Sequence, residues 1–239
     1  MNLLAFDTST ELMSLAVQRT AHGVCQSWHH TAAGGAQTSA TLIPAIQGLM
    51  AQAGLQFAQL DAIAFGSGPG SFTGLRTACS VAQGLAFGAG VPVLPVDTLL
   101  TLAEEARHQY AGALARWQVL ALLDARMDEV YVGHYAFDSG RWSQRQDCSL
   151  MRPEDLVCEA DCALAGNVFA AYGARFDAAA VPPLAPRMEA LPSAGAMLRL
   201  APALLAAGAA VPAEQALPRY IRDKVAKTTL ERAAEKAAL

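Results

Sequence analysis

The sequence predicts an α/β protein made of two alike halves, each a β-sheet flanked by helices. Three observations lead there. Leu3 to Val17 reads LLAF-DTSTE-LMSLAV, alternating apolar runs around an Asp and hydroxyls, which is the signature of a β-hairpin. Val119 to Tyr135 reads the same way, VLALL-DARMDE-VYVGHY; superposing Asp7 on Asp124 sets an offset of 117 residues, close to half the chain. Between the hairpins, helix-period and strand-like segments follow in the order β-β-(β)-α-β-α-β-α, which demands a mixed sheet with helices on its faces.

The elements can be justified in turn. After the first hairpin, Leu42, Ile43, Ile46, Leu49, Met50 and Ala53 recur at three- and four-residue spacing, a helix stopped by Gly54. Asp61 to Phe65 follows as a strand, Thr73 to Gly88 as a second helix, Val91 to Val96 as a strand, and Asp97 or Thr98 through Tyr110 as a third helix. The second helix puts Leu75, Cys79, Ala82 and Leu85 or Ala86 on one face. Thr77, Val81, Gly84 and Gly88 form another that is small and smooth. In the second half Ala163 to Asn167 reads as a strand and turn, and irregular structure is expected where seven of the twelve prolines gather after residue 180. The expected division is 1–105, 106–222 and a charged, frayed helical tail at 223–239, with the final helix free to return to the first domain.

The chain's 239 residues suffice for one large domain or two of roughly 100 to 150 residues, and 53% hydrophobic content excludes disorder as the default. Only 16% are charged, against about 25% in ordinary domains. The shortage is local: residues 1–96 hold just Asp7, Glu11, Arg19, Asp61 and Arg76. A helix without charge all round is covered on more than one side. The first two helices are therefore expected to pack one face on a sheet and the other on a second subunit. The candidate interface is Leu42, Ile46, Leu49, Met50, Thr77, Val81, Ala82, Gly84, Leu85 and Gly88, and a Glu at Leu42 or Ala82 is expected to break the pairing. Residues 219–239 carry six basic and three acidic side chains, so residues 1–218 sum to -7 within the chain's -4. An acidic body argues against this chain gripping nucleic acid alone.

Several function classes fall away. The apolar stretch Leu200 to Ala213 contains Pro202, Gly208 and Pro212 and is too short for a bilayer span, and no basic, long-apolar leader opens the sequence, so the cytoplasm is the expected compartment. Five scattered cysteines without a CxxC suit reduced thiols, and Cys158 with Cys162 lacks the other ligands zinc wants. His29 and His30 are adjacent and point apart on a strand. No GxSxG or HExxH occurs, which leaves a protease reading without support.

The most specific feature is the loop Gly66-Ser67-Gly68-Pro69-Gly70-Ser71-Phe72-Thr73-Gly74-Leu75-Arg76 between a strand and a helix. It lacks the Lys of a P-loop and the third glycine of a dinucleotide fingerprint. By itself it reads equally as an anion cradle or as a structural turn. Arg76, one turn into the helix, has three readings: a pair with Asp61, a pair with a partner carboxylate, or an anion site.

GPGSFTGLR, with DTST in the first hairpin, Thr38-Ser39-Ala40-Thr41-Leu42-Ile43-Pro44, LDARMDEVY and the closing Pro218-Arg219-Tyr220-Ile221-Arg222, resembles the TsaB (YeaZ) family over residues 1 to about 222. The resemblance implies the ASKHA (actin, sugar kinase and Hsp70-like) fold. It also implies a non-catalytic role: pairing with and activating the TsaD transferase, which with TsaE installs threonylcarbamoyl on adenosine 37 of tRNAs reading ANN codons. The implied partners are TsaD, TsaE and a second copy of the chain, through the two N-terminal helices; tRNA contact is indirect. The histidines of a metal-binding HxxxH are missing from Val96 to Ala103, so the implied nucleotide and metal are held by the partner. Asp7, Thr8, Ser9 and Thr10 are weak phosphate-loop candidates in this fold. Asp7 either holds a magnesium-bound water or caps its own turn through an Asx bond, and the cap is favoured because Asp124 is followed by Ala125 and Arg126 and not by a phosphate clamp. The competing functions are an autonomous ASKHA-fold nucleotide-binding ATPase and a purely structural homodimer.

Overall fold

The structure is a computed structural model that describes residues 1–222 apart from 160, 177, 178, 183 and 184. Its first sheet contains β1 (Leu3–Asp7), β2 (Leu12–Ala21), β3 (Val24–Ala33), β4 (Ala62–Gly68) and β5 (Val93–Asp97), in the order β3-β2-β1-β4-β5. The second contains β6 (Arg116–Arg126), β7 (Glu129–Asp138), β8 (Arg141–Met151), β9 (Cys162–Gly166) and β10 (Arg187–Glu189), in the order β10-β9-β6-β7-β8. In each sheet three antiparallel strands are extended by two parallel ones. The duplication inferred from two hairpins thus extends to all five strands. Asp7 pairs with Ser14 and Asp124 with Val130, so both aspartates stand where a central strand enters its hairpin turn.

Helices α1 (Thr38–Ala53) and α2 (Phe72–Ala89) cover one face of the first sheet. Gly54 takes the left-handed conformation that stops α1, the role its sequence position predicts. Helix α3 (Thr98–Tyr110) covers one face of the second sheet, and α4 (Phe169–Phe176) lies on the other, where Phe176 is buried among Leu120, Leu122 and Leu164. Asp97 starts α3: its Oδ1 accepts from the Leu99 amide at 2.8 Å and the Leu100 amide at 3.0 Å, a cap that contributes about 1 kcal/mol. Helix α5 (Ala194–Ala206) closes the far face of the first sheet with Met197, Leu200 and Ala201.

Two expectations need correction. The proline-rich stretch is not irregular throughout, because α5 forms there with Pro202 inside it; burial of its apolar side outweighs the one backbone bond that Pro202 removes. The division at 105/106 also fails to follow the packing. Leu99, Leu102 and Ala103 are buried with the second sheet, whereas α5, Ala213 and Ala216 are buried with the first. The first unit is therefore residues 1–97 plus a returning segment from about 193, and α3 opens the second. The expected tail, with all three lysines of the chain, lies outside the described residues.

Candidate functional site

Both hairpin turns, the glycine loop and the last described residues converge on one cleft. It encloses about 510 Å³ and is bordered by Ser9 and Thr10, Gly70 to Phe72, Asp124 to Met127, and Arg219 to Arg222. Its walls are stitched together by hydrogen bonds to backbone carbonyls. The Ser71 amide donates to Ser9 O at 2.7 Å, Thr8 Oγ1 to Gly74 O at 2.7 Å, and the Arg219 amide to Ser67 O at 2.6 Å. A Cβ at Gly74 would overlap the Thr8 carbonyl and one at Gly68 the Arg219 carbonyl, so the glycines are needed for close backbone approach. Of the two readings of the loop, the geometry supplies a structural reason for its glycines.

The aspartates face inward to their own turns. Asp7 Oδ1 accepts from the Ser9 amide at 2.8 Å and Ser9 Oγ at 2.6 Å, the Asx cap expected from sequence, while its Oδ2 is buried without a hydrogen-bond partner among the described residues. Burial pushes Asp7 up to about 6, against the lowering effect of the Ser9 bonds. Asp124 Oδ1 accepts from the Arg126 amide and from the Tyr172 hydroxyl, and Oδ2 pairs with Arg126 at 3.0 Å. Of the four phosphate-loop candidates, Ser9 and Thr10 border the cleft, whereas the side chains of Asp7 and Thr8 are engaged within the wall.

The second candidate surface is the outer side of α1 and α2. Leu42, Ile46, Leu49, Met50 and Ala82 do not lie on it: they are buried in the chain's own core against Leu4, Phe6 and Phe65. The apolar stripe of each helix is drawn to its own sheet, the larger reservoir of apolar area, so these five positions support the face from beneath. Thr77, Val81, Gly84, Leu85 and Gly88 remain partly or fully exposed. Beside them stand Ile43, 41% exposed, and Phe87, 83% exposed, neither of which was assigned to the interface from sequence. Helical spacing could have found Phe87, which is one turn beyond Gly84 and next to Gly88. The exposed positions of the two helices are Ala, Gly, Ser, Thr, Gln, Pro, Ile and Phe, with Arg76 as their one charged residue.

Arg76 does not pair with Asp61, whose carboxylate accepts from the Asn2 amide. Its Nε donates to the Tyr220 hydroxyl at 2.9 Å, and its guanidinium lies over the Phe72 ring, 3.8 Å from the centroid. The closing segment that brings Tyr220 here also joins the two sheets: Arg219 meets Asp97 at 3.3 Å and Arg222 meets Glu129 at 2.6 Å. Burial raises Asp97 above the usual carboxylate range despite this pairing and its cap bonds.

The chain is similar to known proteins in sequence and fold. Residues 26–230 match the family model described as TsaD: tRNA N6-adenosine threonylcarbamoyltransferase. The chain is 35% identical to the tRNA threonylcarbamoyladenosine biosynthesis protein TsaB of Escherichia coli, over 95% of this chain and 96% of that one. It is 41% identical to the TsaB of Haemophilus influenzae over 55% of this chain and 52% of that one. Among solved structures, YeaZ from Pseudomonas aeruginosa superposes with a TM-score of 0.78 at 38% identity, covering 92% of this chain and 99% of that one.

Proposed function

The chain belongs to the TsaB (YeaZ) family, ASKHA-like in fold, of tRNA threonylcarbamoyladenosine biosynthesis, and we propose that it is a non-catalytic subunit that pairs with and activates the TsaD transferase. On this reading the product is N6-threonylcarbamoyladenosine at position 37 of tRNAs reading ANN codons, and the work is done in the cytoplasm. TsaE joins the pair, tRNA is met through the partner, and nucleotide and metal are held by the partner. The observation that carries the reading is the outer surface of α1 and α2: two helices of an acidic protein present one charge between them and an 83% exposed Phe87. An apolar, ion-poor face of this kind is what a protein interface leaves bare in the separated subunit. A second copy of the chain fits the same face when TsaD is absent.

Activation then comes from ordering the partner's site, since Asp7 is buried and caps its turn through Oδ1, and both oxygens of Asp124 are engaged. The test is reconstitution of tRNA modification from purified TsaD, TsaE and threonylcarbamoyl-adenylate, with and without this chain. Modification should require the chain, and Phe87→Glu should abolish both complex formation in size-exclusion runs and modification. Full activity without the chain, or ATP turnover by the chain alone at the rate of the complex, overturns the reading. The second outcome favours an autonomous ASKHA nucleotide-binding ATPase using the cleft.

A further inference from the structure

We propose that Arg76 is a preset receptor for a carboxylate on the partner protein that covers the α1–α2 face. The proposal rests on the pairing reading above and names one contact within it. Arg76 lies on the exposed stripe Thr73, Arg76, Ser80, Gly84 and Phe87, at the end of α2 nearest the cleft. A free arginine on a surface samples many rotamers; this one is held from two sides. Phe72 stacks under the guanidinium at 3.8 Å, Tyr220 accepts from Nε at 2.9 Å, and the two rings are 5.2 Å apart. Tyr220 is itself fixed, because the Arg219 amide is bonded to Ser67 O and Arg222 is anchored on Glu129 of the other sheet.

The bond through Nε leaves the two Nη groups without a hydrogen-bond or ion-pair partner among the described residues. Those are the groups whose planar fork matches a carboxylate with two parallel bonds. Ordering the side chain in advance removes part of the entropy cost that binding would otherwise carry. A carboxylate, and not a phosphate, fits the surroundings. The neighbouring cations Arg126, Arg219 and Arg222 are paired with Asp124, Asp97 and Glu129. Phosphate backbones are gripped by several free cations together, and residues 1–218 sum to -7. One cation in an otherwise uncharged face calls for one opposite charge across it.

The experiment measures binding of purified TsaD by calorimetry at about 50 mM and about 500 mM salt. Arg76→Met should weaken binding about tenfold at low salt and flatten the salt dependence. Arg76→Lys should fail to restore it, since an ammonium lacks the fork, and Tyr220→Phe should weaken it about threefold by loosening the holder. Each variant should keep the thermal midpoint of the unaltered protein. Alanine changes at the Asp and Glu residues of TsaD, each combined with Arg76→Met, should expose one position whose effect is non-additive. Normal binding by Arg76→Met beside lost binding by Phe87→Glu overturns this proposal and leaves the pairing reading standing. Normal binding by both variants overturns both. Weakened binding with additive combinations at every TsaD carboxylate overturns the carboxylate assignment, as does weakened self-association with TsaD binding intact.

Discussion

Asp7 at the end of β1, the central strand of the first sheet, and Glu104 on α3 are both buried carboxylates, and they are held in opposite ways. Asp7 has Ser9 on one oxygen, while the other lies against Gly66 with no donor among the described residues. Glu104 takes Arg107 Nε at 2.8 Å, Arg199 Nε at 2.8 Å and Trp142 Nε1 at 3.0 Å. Burial alone would push Glu104 up, yet these donors hold it below the usual carboxylate range, whereas burial wins at Asp7. The cause is composition. Residues 1–96 contain two cations, Arg19 and Arg76, and these are bonded to Ala53 O and Tyr220. The scarcity of ions that leaves the α1–α2 face dry also leaves buried Asp7 without a cationic partner among the described residues.

The largest effect should come from adding a third buried carboxylate with no donors. Leu42→Glu is expected to lose about 4 kcal/mol or more in urea unfolding. Its outward counterpart Phe87→Glu should stay within about 0.5 kcal/mol. A stable Leu42→Glu protein that fails only in pairing would restore the interface role expected for Leu42 from sequence.

The pH profile separates the two acids. Folded Asp7, at about 6, binds its proton more tightly than the unfolded chain at 3.8. Its contribution is complete below the unfolded value and lost as pH rises to about 6, a fall of about 3 kcal/mol. Asp7→Asn should flatten that stretch of the curve in urea unfolding series; an unchanged slope would refute the assignment. Glu104 runs the other way: its contribution is present above its unfolded value of 4.5 and lost as pH drops. Glu104→Gln should therefore cost about 2 kcal/mol at neutral pH and progressively less in acid, read by the same titration.

Much of this was legible in sequence. The hairpins, α1 to α3 and the Gly54 stop follow from local signals, each acting within a few residues. Strand β8 was not legible, because Arg141, Arg145 and Asp147 on an exposed edge break the apolar alternation that marks a strand. Helix α5 was hidden by prolines whose local penalty is outweighed by burial. Within the site, the Asx bond of Asp7 could be anticipated from spacing, but the contact between Gly74 and Thr8 spans 66 residues and that between Arg76 and Tyr220 spans 144.

By itself the sequence determined the duplicated α/β plan and the ion-poor front half, since periodicity and composition act through short-range geometry and solvation. Only the tertiary structure decided which helix faces remain outside and what holds Arg76. Burial is settled by whichever surface offers the most apolar area, and the holder of Arg76 arrives from the far end of the chain.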